Sequence, residues 1–388
     1  MIRRVWPLTV AAVALGIDAY VVAGILPQIA TSLAVSLSAV GLGVTAFTGA
    51  YALAGPLLSA RLAKGGAASA LLIALGVFNL GNVATALAPG LAVFLASRVV
   101  AGVGAGVLTA VATATAAAMA QEGERGRAMS LVTLGLSAGT VAGVPVGMLL
   151  GHHVSWRWTV GLVIAVGAMS QLVLTLRARS LPNLADAIGE PPLSVLQDRR
   201  TALGVTIAFL LGVASLGLYT YLLPMAKDAG LGDWGFTLVW AWGVGGVAGS
   251  ALIGRSLDRF GASPFLIALP IALMLCFVIL WLTTSPILWL LAAATWGAAG
   301  WASVPTLQKR LTQDRPNKAM AIVAFQMAAM YLGSASGAAI GSALLDNGVP
   351  SIDLPAWTLI PGSLTLGLVF TLTRYAKASE RAVKSQRR

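Results

Sequence analysis

The sequence predicts an all-α membrane protein with twelve transmembrane helices arranged as two pseudo-symmetric six-helix bundles. Three observations support this fold class: the apolar composition, the number of long apolar runs, and the repetition of landmarks in the two halves of the chain. Hydrophobic residues make up 58% of the 388 residues and charged residues only 10%. An ordinary soluble domain carries roughly 25% charged residues, so the composition indicates a membrane protein.

The apolar runs predict the number of spans. About 20 consecutive apolar residues cross the hydrocarbon core of a bilayer as a helix. Twelve such runs occur, and a break is expected in the tenth at Pro305 because proline interrupts helical hydrogen bonding. The predicted spans are residues 6–26, 38–60, 67–88, 91–119, 128–150, 159–176, 201–223, 235–254, 263–283, 286–307, 319–344 and 356–373.

The basic residues predict the orientation of the spans. If the N-terminus is cytoplasmic, all 25 Lys and Arg residues except Arg98, Arg157 and Lys227 fall in cytoplasmic loops or tails. This positive-inside pattern predicts a multi-pass protein of the bacterial cytoplasmic (inner) membrane with both termini in the cytoplasm. The net charge of +12 therefore requires no nucleic acid partner, and the basic tail is expected to lie on anionic lipid rather than to bind RNA.

Landmarks of the first six spans recur in the last six at a nearly constant separation. They are Pro27 and Pro224, Gly55 and Gly254, and Gly139 and Gly333. The predicted units are an N-terminal six-helix bundle (1–176), a cytoplasmic linker (177–200), a C-terminal six-helix bundle (201–376) and a basic cytoplasmic tail (377–388). Duplicated halves of this kind are typical of transporters that alternate access to a central site.

Two ionisable residues, Asp18 and Arg98, lie inside predicted spans. Such residues are costly in a membrane and usually functional. Burial disfavours the charged form of a carboxyl group, so Asp18 is a candidate for taking up and releasing a proton near mid-depth. Arg98 keeps its proton and would tune or orient that carboxylate, or hold an anionic group. The alternatives are a structural aspartate bonded to a neighbouring helix and an arginine that extends to the membrane interface.

A short motif follows the eighth span, where Gly254 precedes Asp258, Arg259 and Gly261. Glycine lets two helices approach closely, and the Asp-Arg pair can form an ion pair or cap the end of a neighbouring helix. In the first-half copy, Ser59 stands where the aspartate would be expected. A corresponding charged contact is therefore not expected in the first half.

Glycine recurs at every fourth residue of the fifth span, which places a stripe of glycines on one helix face. The candidates for gating and helix packing are Gly139, Gly143, Pro145 and Gly147 in the fifth span and Gly333 and Gly337 in the eleventh. A flat surface of this kind permits either sliding of two helices or static close packing. The stripe alone does not separate these alternatives.

These motifs resemble those of a known family. Residues 254–261 are similar to the cytoplasmic loop signature of the major facilitator superfamily, and residues 98–106 to its fourth-helix motif. Residues 139–147 resemble the fifth-helix signature of antiporters, although Val144 replaces the glycine that many members have before the proline. Residues 16–27 are similar to the first helix of drug:proton antiporters.

The resemblance implies the major facilitator fold and a drug efflux-type antiporter, coupled to protons and associated with multidrug resistance. It implies that Asp18 takes up a proton facing outward and releases it facing inward, with Arg98 acting in proton coupling. It also implies that the fifth span faces the eighth, and the second the eleventh, across the boundary between the halves. Residues 140–147 would then help to seal the halves.

Aromatic, amide and methionine side chains at depth are candidates for lining a substrate cavity, because they give loosely specified ligands an adaptable surface. The chosen candidates are Tyr51, Asn79, Tyr219, Trp240, Trp296, Trp301, Gln326 and Met330. Asn82, Tyr221 and Trp242 also qualify but are not among the chosen eight. For each residue taken alone, packing or contact with lipid is the alternative.

The sequence predicts a transporter rather than an enzyme. Its two histidines are adjacent, at 152 and 153, without a third ligand nearby for a metal, and Cys276 is the single cysteine. The predicted partners are a small, amphipathic substrate, protons as the coupling ion and the lipid bilayer; a monomer with no other cofactor is expected. The open alternatives are a sugar or metabolite exporter, a proton-independent facilitator, a proton symporter, and a receptor or scaffold without transport.

Overall fold

A computed structural model describes residues 2–35, 37–121, 123–182 and 192–386. Within these ranges the chain is almost entirely helical and has no β-strand. The α-helices are α1 (Ile2–Gly24), α2 (Leu26–Leu33), α3 (Leu37–Ala63), α4 (Ala67–Ala86), α5 (Leu91–Met119), α6 (Arg125–Ala138), α7 (Val144–His153), α8 (Trp156–Arg177), α9 (Arg199–Leu211), α10 (Leu222–Asp228), α11 (Gly235–Phe260), α12 (Ser263–Leu282), α13 (Pro286–Thr312), α14 (Ala319–Asp346) and α15 (Leu354–Gln386).

The helices account for the twelve predicted spans. Eleven helical segments among the described residues are long and apolar enough to cross a membrane. The remaining span, the fifth, is divided into α6, a π-helical segment at Gly139–Gly143, and α7. Pro145 follows this segment and has no N–H for a preceding turn, which favours a change of hydrogen-bond pattern here; its side chain lies outside the described part. A second π-helical segment, Gly212–Gly217, follows α9.

The predicted break of the tenth span at Pro305 is wrong, because α13 continues through this residue. Proline removes one helical hydrogen bond, namely the one to the carbonyl four residues earlier, at Trp301. Both residues are buried among neighbouring helices. Packing of this kind keeps a membrane helix continuous through a proline.

The predicted linker 177–200 lies between α8 and α9, and its residues 183–191 lie outside the described ranges. α15 continues past the predicted bundle boundary at 376 as far as Gln386. The side chains of residues 374–388, and with them the predicted lipid contact of the tail, are outside the described part of the chain.

Polar contacts organise the start of α9. Asp198 is its N-cap and accepts hydrogen bonds from the backbone N–H of Thr201 at 2.8 Å and from its hydroxyl at 2.9 Å. The guanidinium of Arg315, in the loop after α13, donates to the same carboxylate at 2.9 Å. Desolvation alone would raise the pKa of Asp198, but the hydrogen bonds from Arg315 and Thr201 outweigh it and lower the pKa to about 2.

The two halves meet along two pairs of helices. α3 packs against α14 and α6 against α11, which are the second span with the eleventh and the fifth with the eighth, as the resemblance implied. We call the end of the bundle where α3 finishes and α6 begins the basic end, because most loops rich in Lys and Arg lie there. The other end is called the opposite end.

The glycine stripes pack within each half. A Cβ atom at Gly139 would collide with the Val13 carbonyl of α1, and one at Gly333 would collide with the Phe209 carbonyl of α9. The fifth span thus packs on the first, and the eleventh on the seventh. The two contacts occupy equivalent places in the two halves, so the predicted repeat is visible at the level of single residues.

The glycines of this stripe face their own half rather than the boundary between the halves. Gly143 and Gly147 also contact α1, through Ile17 and Val21, and a Cβ atom at Gly337 would lie 3.0 Å from Val213 Cα of the same half. A different face of the fifth span meets α11. There Val141 packs against Gly243: its Cγ2 atom lies 2.8 Å from the position that a Cβ atom on Gly243 would take.

Candidate functional site

Asp18 and Arg98 form an ion pair inside the N-terminal half. Arg98 Nη1 lies 2.8 Å from Asp18 Oδ1, and each side chain is only 1% exposed. Asn82 joins the pair: its Nδ2 donates to Asp18 Oδ2 at 3.3 Å, and its Oδ1 accepts from Arg98 Nη1 at 3.3 Å. The three side chains come from α1, α4 and α5, and each contacts the other two.

Close packing of the surrounding helices positions this network. A Cβ atom at Gly81 of α4 would lie 2.7 Å from the Ala101 backbone of α5, so only glycine permits this approach. Phe47 of α3 covers the network, with its ring centroid 4.4 Å from the guanidinium carbon of Arg98. This distance is suitable for a cation–π interaction. Arg98 Nε has no hydrogen-bond partner among the described residues.

The network lies nearer the opposite end of the bundle than the mid-depth position predicted for Asp18. Asp18 is six residues before the end of α1, and Arg98 is seven residues after the start of α5. Each is therefore about 10 Å from a helix end. Arg98 is close enough to that end to extend to the membrane interface, but its side chain points inward to Asp18 and Asn82. The alternative that Arg98 extends to the membrane interface is therefore excluded for this structure.

Both oxygens of the Asp18 carboxylate are engaged, Oδ1 with Arg98 and Oδ2 with Asn82. Protonation would remove the counter-charge of Arg98, which cannot lose its own proton. The buried guanidinium would then need a new partner or a new position. Because the carboxylate already has two partners, a cationic ligand could pair with it only by displacing them.

A cavity lies within the C-terminal half, between α9, α11, α12, α13 and α14. Trp301, Gln326 and Met330 line it, as predicted. Trp242 lines it too, although it is not among the chosen candidates. Trp240 does not, because it lies on another face of α11. Most of the remaining lining residues are aliphatic.

An aromatic cluster forms one wall of this cavity. Tyr219 stacks on Trp242 with ring centroids 4.0 Å apart. Trp296 lies behind them, 6.4 Å from Trp242, and donates its indole N–H to Ser215 Oγ at 2.8 Å. Tyr219 and Trp296, both predicted to line a cavity, therefore support its wall instead.

Three other predicted cavity residues lie elsewhere. Asn79 of α4 faces α8, with its amide against Gly167. Tyr51 of α3 packs edge-on against Tyr331 of α14, with ring centroids 4.6 Å apart, at the boundary between the halves. Trp240 packs against Phe236 of its own helix.

At the basic end, Asp258 of α11 caps the N-terminus of α6 in the other half. Its Oδ1 accepts from the backbone N–H of Gly126 at 3.0 Å, and its Oδ2 from that of Arg127 at 3.1 Å. Lys309 of α13 donates to Asp258 Oδ1 at 2.7 Å. A carboxylate is favoured at a helix N-terminus by the helix dipole, so this contact holds the two halves together.

Of the two alternatives predicted for the Asp-Arg motif, Asp258 forms the cap on a neighbouring helix, whereas no ion pair joins Asp258 and Arg259. Arg259 is exposed and lies over Phe260, with its guanidinium carbon 5.0 Å from the ring centroid. Consecutive residues of a helix point about 100° apart, so Asp258 faces α6 while Arg259 faces away. Lys309 is the basic residue that pairs with Asp258.

The glycines of this motif have separate roles. A Cβ atom at Gly254 would lie 2.8 Å from Arg127 Cα, so glycine permits α11 to approach α6. Gly261 has φ +76° and ends α11, in a conformation that favours glycine. In the first half, the Ser59 hydroxyl is buried without a hydrogen-bond partner among the described residues.

Comparison with known proteins identifies the family. The family model of the Major Facilitator Superfamily matches residues 8–338. The chain belongs to this superfamily. It is 31% identical to the uncharacterized MFS-type transporter YbcL of Bacillus subtilis (strain 168), with 89% of each chain covered.

Two other relatives carry names that refer to a compound. The chain is 30% identical to the chloramphenicol resistance protein of Streptomyces lividans, over 90% of this chain and 91% of the relative. It is 26% identical to a probable sugar efflux transporter of Helicobacter acinonychis (strain Sheeba), over 89% of this chain and 88% of the relative.

A solved structure shares the fold. The major facilitator superfamily transporter FucP, in an outward conformation, matches with a TM-score of 0.77 at 15% identity, over 96% of this chain and 98% of that one. The protein therefore has the twelve-helix major facilitator fold. It is a multi-pass membrane protein of a family that transports small molecules, and it is not an enzyme.

Three residues of the site were not predicted as site residues from the sequence: Asn82, Trp242 and Lys309. Asn82 and Trp242 are visible in the sequence as polar or aromatic residues at depth, but nothing local distinguishes them from Asn79 and Trp240. The signal for Lys309 is weaker, because it is one of several basic residues in its loop. In each case the role of the residue depends on the helix face that it occupies. Spans that are apolar on nearly every face do not reveal in the sequence which face meets a neighbouring helix.

Proposed function

We propose that the protein is a proton-coupled antiporter that exports a small, amphipathic compound, in the manner of a drug efflux transporter. The observation that carries this proposal is the buried network of Asp18, Arg98 and Asn82. A buried ion pair is weak evidence for stability, whereas ionisable groups inside spans often belong to proton relays or substrate pathways. A functional role therefore explains this network better than a structural one.

In the proposed cycle, Asp18 takes up a proton while the opposite end is open, and its pair with Arg98 breaks. When the basic end is open instead, Asp18 releases the proton and the pair forms again. Each state of Asp18 thus favours one arrangement of the halves, as coupling requires. The position of the network near the opposite end suits proton entry from that side.

A series of aromatic contacts supports coupling between the two halves. The Arg98 guanidinium lies over Phe47, and the Phe47 ring centroid is 6.4 Å from that of Tyr51. Tyr51 contacts Tyr331 of the C-terminal half, and Met330, the residue before Tyr331, lines the cavity. These neighbouring groups support a coupling between Arg98 and the cavity.

The contacts at the basic end support alternating access. The Asp258 cap on α6 joins the halves at the basic end, and a hydrogen bond of 3.2 Å from Ser137 to Ser250 joins them deeper in the spans, about 15 Å further in. Opening the basic end requires that these few polar contacts separate. By the positive-inside rule we propose that the basic end and both termini are cytoplasmic, in a bacterial inner membrane.

Proton movement in proteoliposomes tests the proposal. Wild type, Asp18→Asn and Asp233→Asn are reconstituted with a pH-sensitive dye inside, and chloramphenicol or glucose is added outside. An antiporter moves protons out as the solute enters, so the lumen becomes alkaline in wild type and in Asp233→Asn, whose side chain is exposed in the short 3₁₀-helix before α11. Asp18→Asn should give no change of pH.

Each other outcome has a definite meaning. Unaltered exchange in Asp18→Asn would contradict proton coupling through this residue. Solute uptake without a proton signal in wild type would identify a facilitator, and acidification of the lumen would identify a symporter.

Sugar export is the second candidate, because of the relative named as a probable sugar efflux transporter. A sugar needs many hydrogen bonds when it leaves water, and the lining of the C-terminal cavity is mostly aliphatic and aromatic. An amphipathic compound is therefore the better match, and a pH response to glucose but not to chloramphenicol would reverse this preference.

A further inference from the structure

We propose that Asn82 is a positioning residue of the proton-coupling network, and that its amide oxygen holds the Arg98 guanidinium in place while Asp18 is protonated. This inference rests on the proposed function and specifies how the network survives the loss of the Asp18 charge. It follows from three observations: the hydrogen bonds of the Asn82 amide, the packing of α4 on α5, and the burial of the guanidinium.

The Asn82 amide is buried and hydrogen-bonded through both of its polar atoms. Its Nδ2 donates to Asp18 Oδ2 at 3.3 Å and to the Phe78 carbonyl of its own helix at 3.1 Å. Its Oδ1 accepts from Arg98 Nη1 at 3.3 Å. The opposite orientation of the amide would place its NH2 group against the guanidinium and its oxygen against two other oxygens. The surroundings therefore direct the amide oxygen toward Arg98.

Arg98 Nη1 is shared between a charged acceptor and a neutral one. It lies 2.8 Å from Asp18 Oδ1 and 3.3 Å from Asn82 Oδ1, and no other ion pair of the described residues involves Asp18 or Arg98. A proton on Asp18 neutralises the carboxylate and adds one positive charge to the network, because Arg98 keeps its own proton. The amide oxygen of Asn82 does not titrate. It is therefore the acceptor that remains for Arg98 when the charge of Asp18 is lost.

The two helices that carry the amide and the guanidinium are packed closely on each other. A Cβ atom at Gly104 of α5 would lie 2.7 Å from Phe78 Cα of α4, and the hydroxyl groups of Thr85 and Ser97 join the same two helices at 2.8 Å. Asp18 lies on α1, which packs mainly on α6 and α8. The amide and the guanidinium thus form a fixed pair, and Asp18 is the member of the network that can separate from it.

A guanidinium without an acceptor would not stay at this position. Arg98 is only 1% exposed, its Nε has no hydrogen-bond partner among the described residues, and the Phe47 ring covers it. A buried charge that loses its partners is strongly destabilised, and Arg98 is close enough to the opposite end to extend to the membrane interface. Asn82 keeps the guanidinium inside the bundle, so the pair can form again when Asp18 releases its proton.

Chemical modification of Arg98 in the purified full-length protein tests this inference. Asp18→Asn stands for the protonated state, because its side chain is neutral. The variants are treated with phenylglyoxal, which reacts with accessible guanidinium groups, and modified Arg98 is quantified by mass spectrometry relative to Arg61, which is exposed. Arg98 should be as protected in Asp18→Asn as in wild type. In Asp18→Asn/Asn82→Leu it should react at least about tenfold faster, which corresponds to the loss of one hydrogen bond to a charged group.

Asn79→Leu in the same Asp18→Asn background is the matched control. Asn79 lies about one turn before Asn82 on α4, but its amide faces Gly167 of α8, so its loss should leave Arg98 protected. Equal rates of modification in Asp18→Asn and in Asp18→Asn/Asn82→Leu would overturn the inference.

Moving the carboxylate from α1 to α4 gives a second test, which leaves Arg98 a charged partner and so does not depend on a destabilised variant. Asp18→Asn/Asn82→Asp places the negative charge on the helix that stays packed on α5. Arg98 should be protected in this variant, and proteoliposomes should give no solute-dependent change of pH, because the charged pair cannot separate. Restored proton exchange would overturn the inference, since the two positions would then be equivalent.

These measurements separate the inference from the proposed function, because the modification of Arg98 requires no transport. Unaltered proton exchange in the single variant Asp18→Asn would overturn the proposed coupling, whatever the modification of Arg98. Loss of exchange in Asp18→Asn, together with equal modification of Arg98 with and without Asn82→Leu, would overturn the inference alone.

Discussion

The Arg98 guanidinium and the Asp18 carboxylate lie 2.8 Å apart although 80 residues of sequence separate them. Neither side chain has appreciable contact with solvent. Moving two charges into a low dielectric is expensive, and their mutual attraction offsets that cost only while both are present. The stability of each charge inside the bundle therefore depends on the other.

Removing one partner of this pair should destabilise the protein more than removing both. Asp18→Leu leaves the Arg98 guanidinium buried and charged, and should lower the free energy of unfolding by about 3–5 kcal/mol. Arg98→Leu should cost less, because a carboxyl group can neutralise itself by binding a proton and a guanidinium cannot lose one. The double variant should cost less than Asp18→Leu.

Thermal unfolding of the purified proteins in detergent, followed by tryptophan fluorescence, measures all three variants. Losses that simply add in the double variant would show that the two side chains do not stabilise each other.

Asp258→Ala should weaken the contact between the halves at the basic end. The substitution removes two hydrogen bonds from the N-terminus of α6 and the ion pair with Lys309. Hydrogen bonds to charged groups contribute about 1.5–3 kcal/mol each. The basic end should therefore open at least about tenfold more often.

The opening is measured with a cysteine at Ser250, which is buried between α6 and α11 about 12 Å deeper than Asp258, in a Cys276→Ala background. Its rate of reaction with a membrane-impermeant maleimide should rise in Asp258→Ala. Arg259→Ala is the matched control, because Arg259 is exposed and lies over Phe260 of its own helix. Equal acceleration in the control would show that the Asp258 cap does not hold the halves together.

Gly139→Ala should destabilise the N-terminal half. The new methyl group would collide with the Val13 carbonyl of α1, and overpacking of this kind costs about 1–3 kcal/mol. Gly41→Ala in α3 is the control, since nothing among the described residues lies within 4 Å of the position a Cβ atom would take there. That change should be neutral or stabilise by up to about 1 kcal/mol.

The melting temperatures of the two glycine variants decide this prediction. Equal melting temperatures would mean that α1 and the fifth span can separate at Gly139 without cost, and the close contact would then have no role in stability.

The contact between Asp198 and Arg315 should make stability depend on pH at the acid end. The pKa of Asp198 is lowered to about 2 in the folded protein, against about 3.9 in an unfolded chain. Its contribution is therefore fully present above the unfolded value and is lost as the pH falls through about 2. Asp198→Asn keeps a good N-cap for α9 but removes this charge.

Melting temperatures measured from pH 6 downward test this linkage. The difference between wild type and Asp198→Asn should be constant above about pH 5 and should disappear only below about pH 2. A difference that persists in acid would assign the effect to capping rather than to charge.

Much of the fold could be predicted because the bilayer imposes simple rules. The lengths of the apolar runs follow from membrane thickness. The positions of Lys and Arg predict on which side of the membrane each loop lies. The fifth span still departed from a regular helix at Gly139–Gly143. The tenth did not break at Pro305, because burial among neighbouring helices outweighed the local preference.

The candidate site could be predicted only in part. Asp18 and Arg98 stand out in sequence because a charge in a span is rare, and their pairing required the structure. Asn82 and Trp242 are no more conspicuous in the sequence than Asn79 and Trp240, yet the first two belong to the site and the others do not. The role of a side chain within a span depends on which neighbouring helix it contacts.

The sequence by itself determined the class of protein, the number of spans, the predicted orientation and the two charges worth examining. Only the tertiary structure decided which helix each glycine stripe packs on, that Lys309 rather than Arg259 pairs with Asp258, and that the cavity lies within the C-terminal half. The physical reason is that spans are apolar on nearly every face, so periodicity does not reveal which face meets lipid and which meets protein.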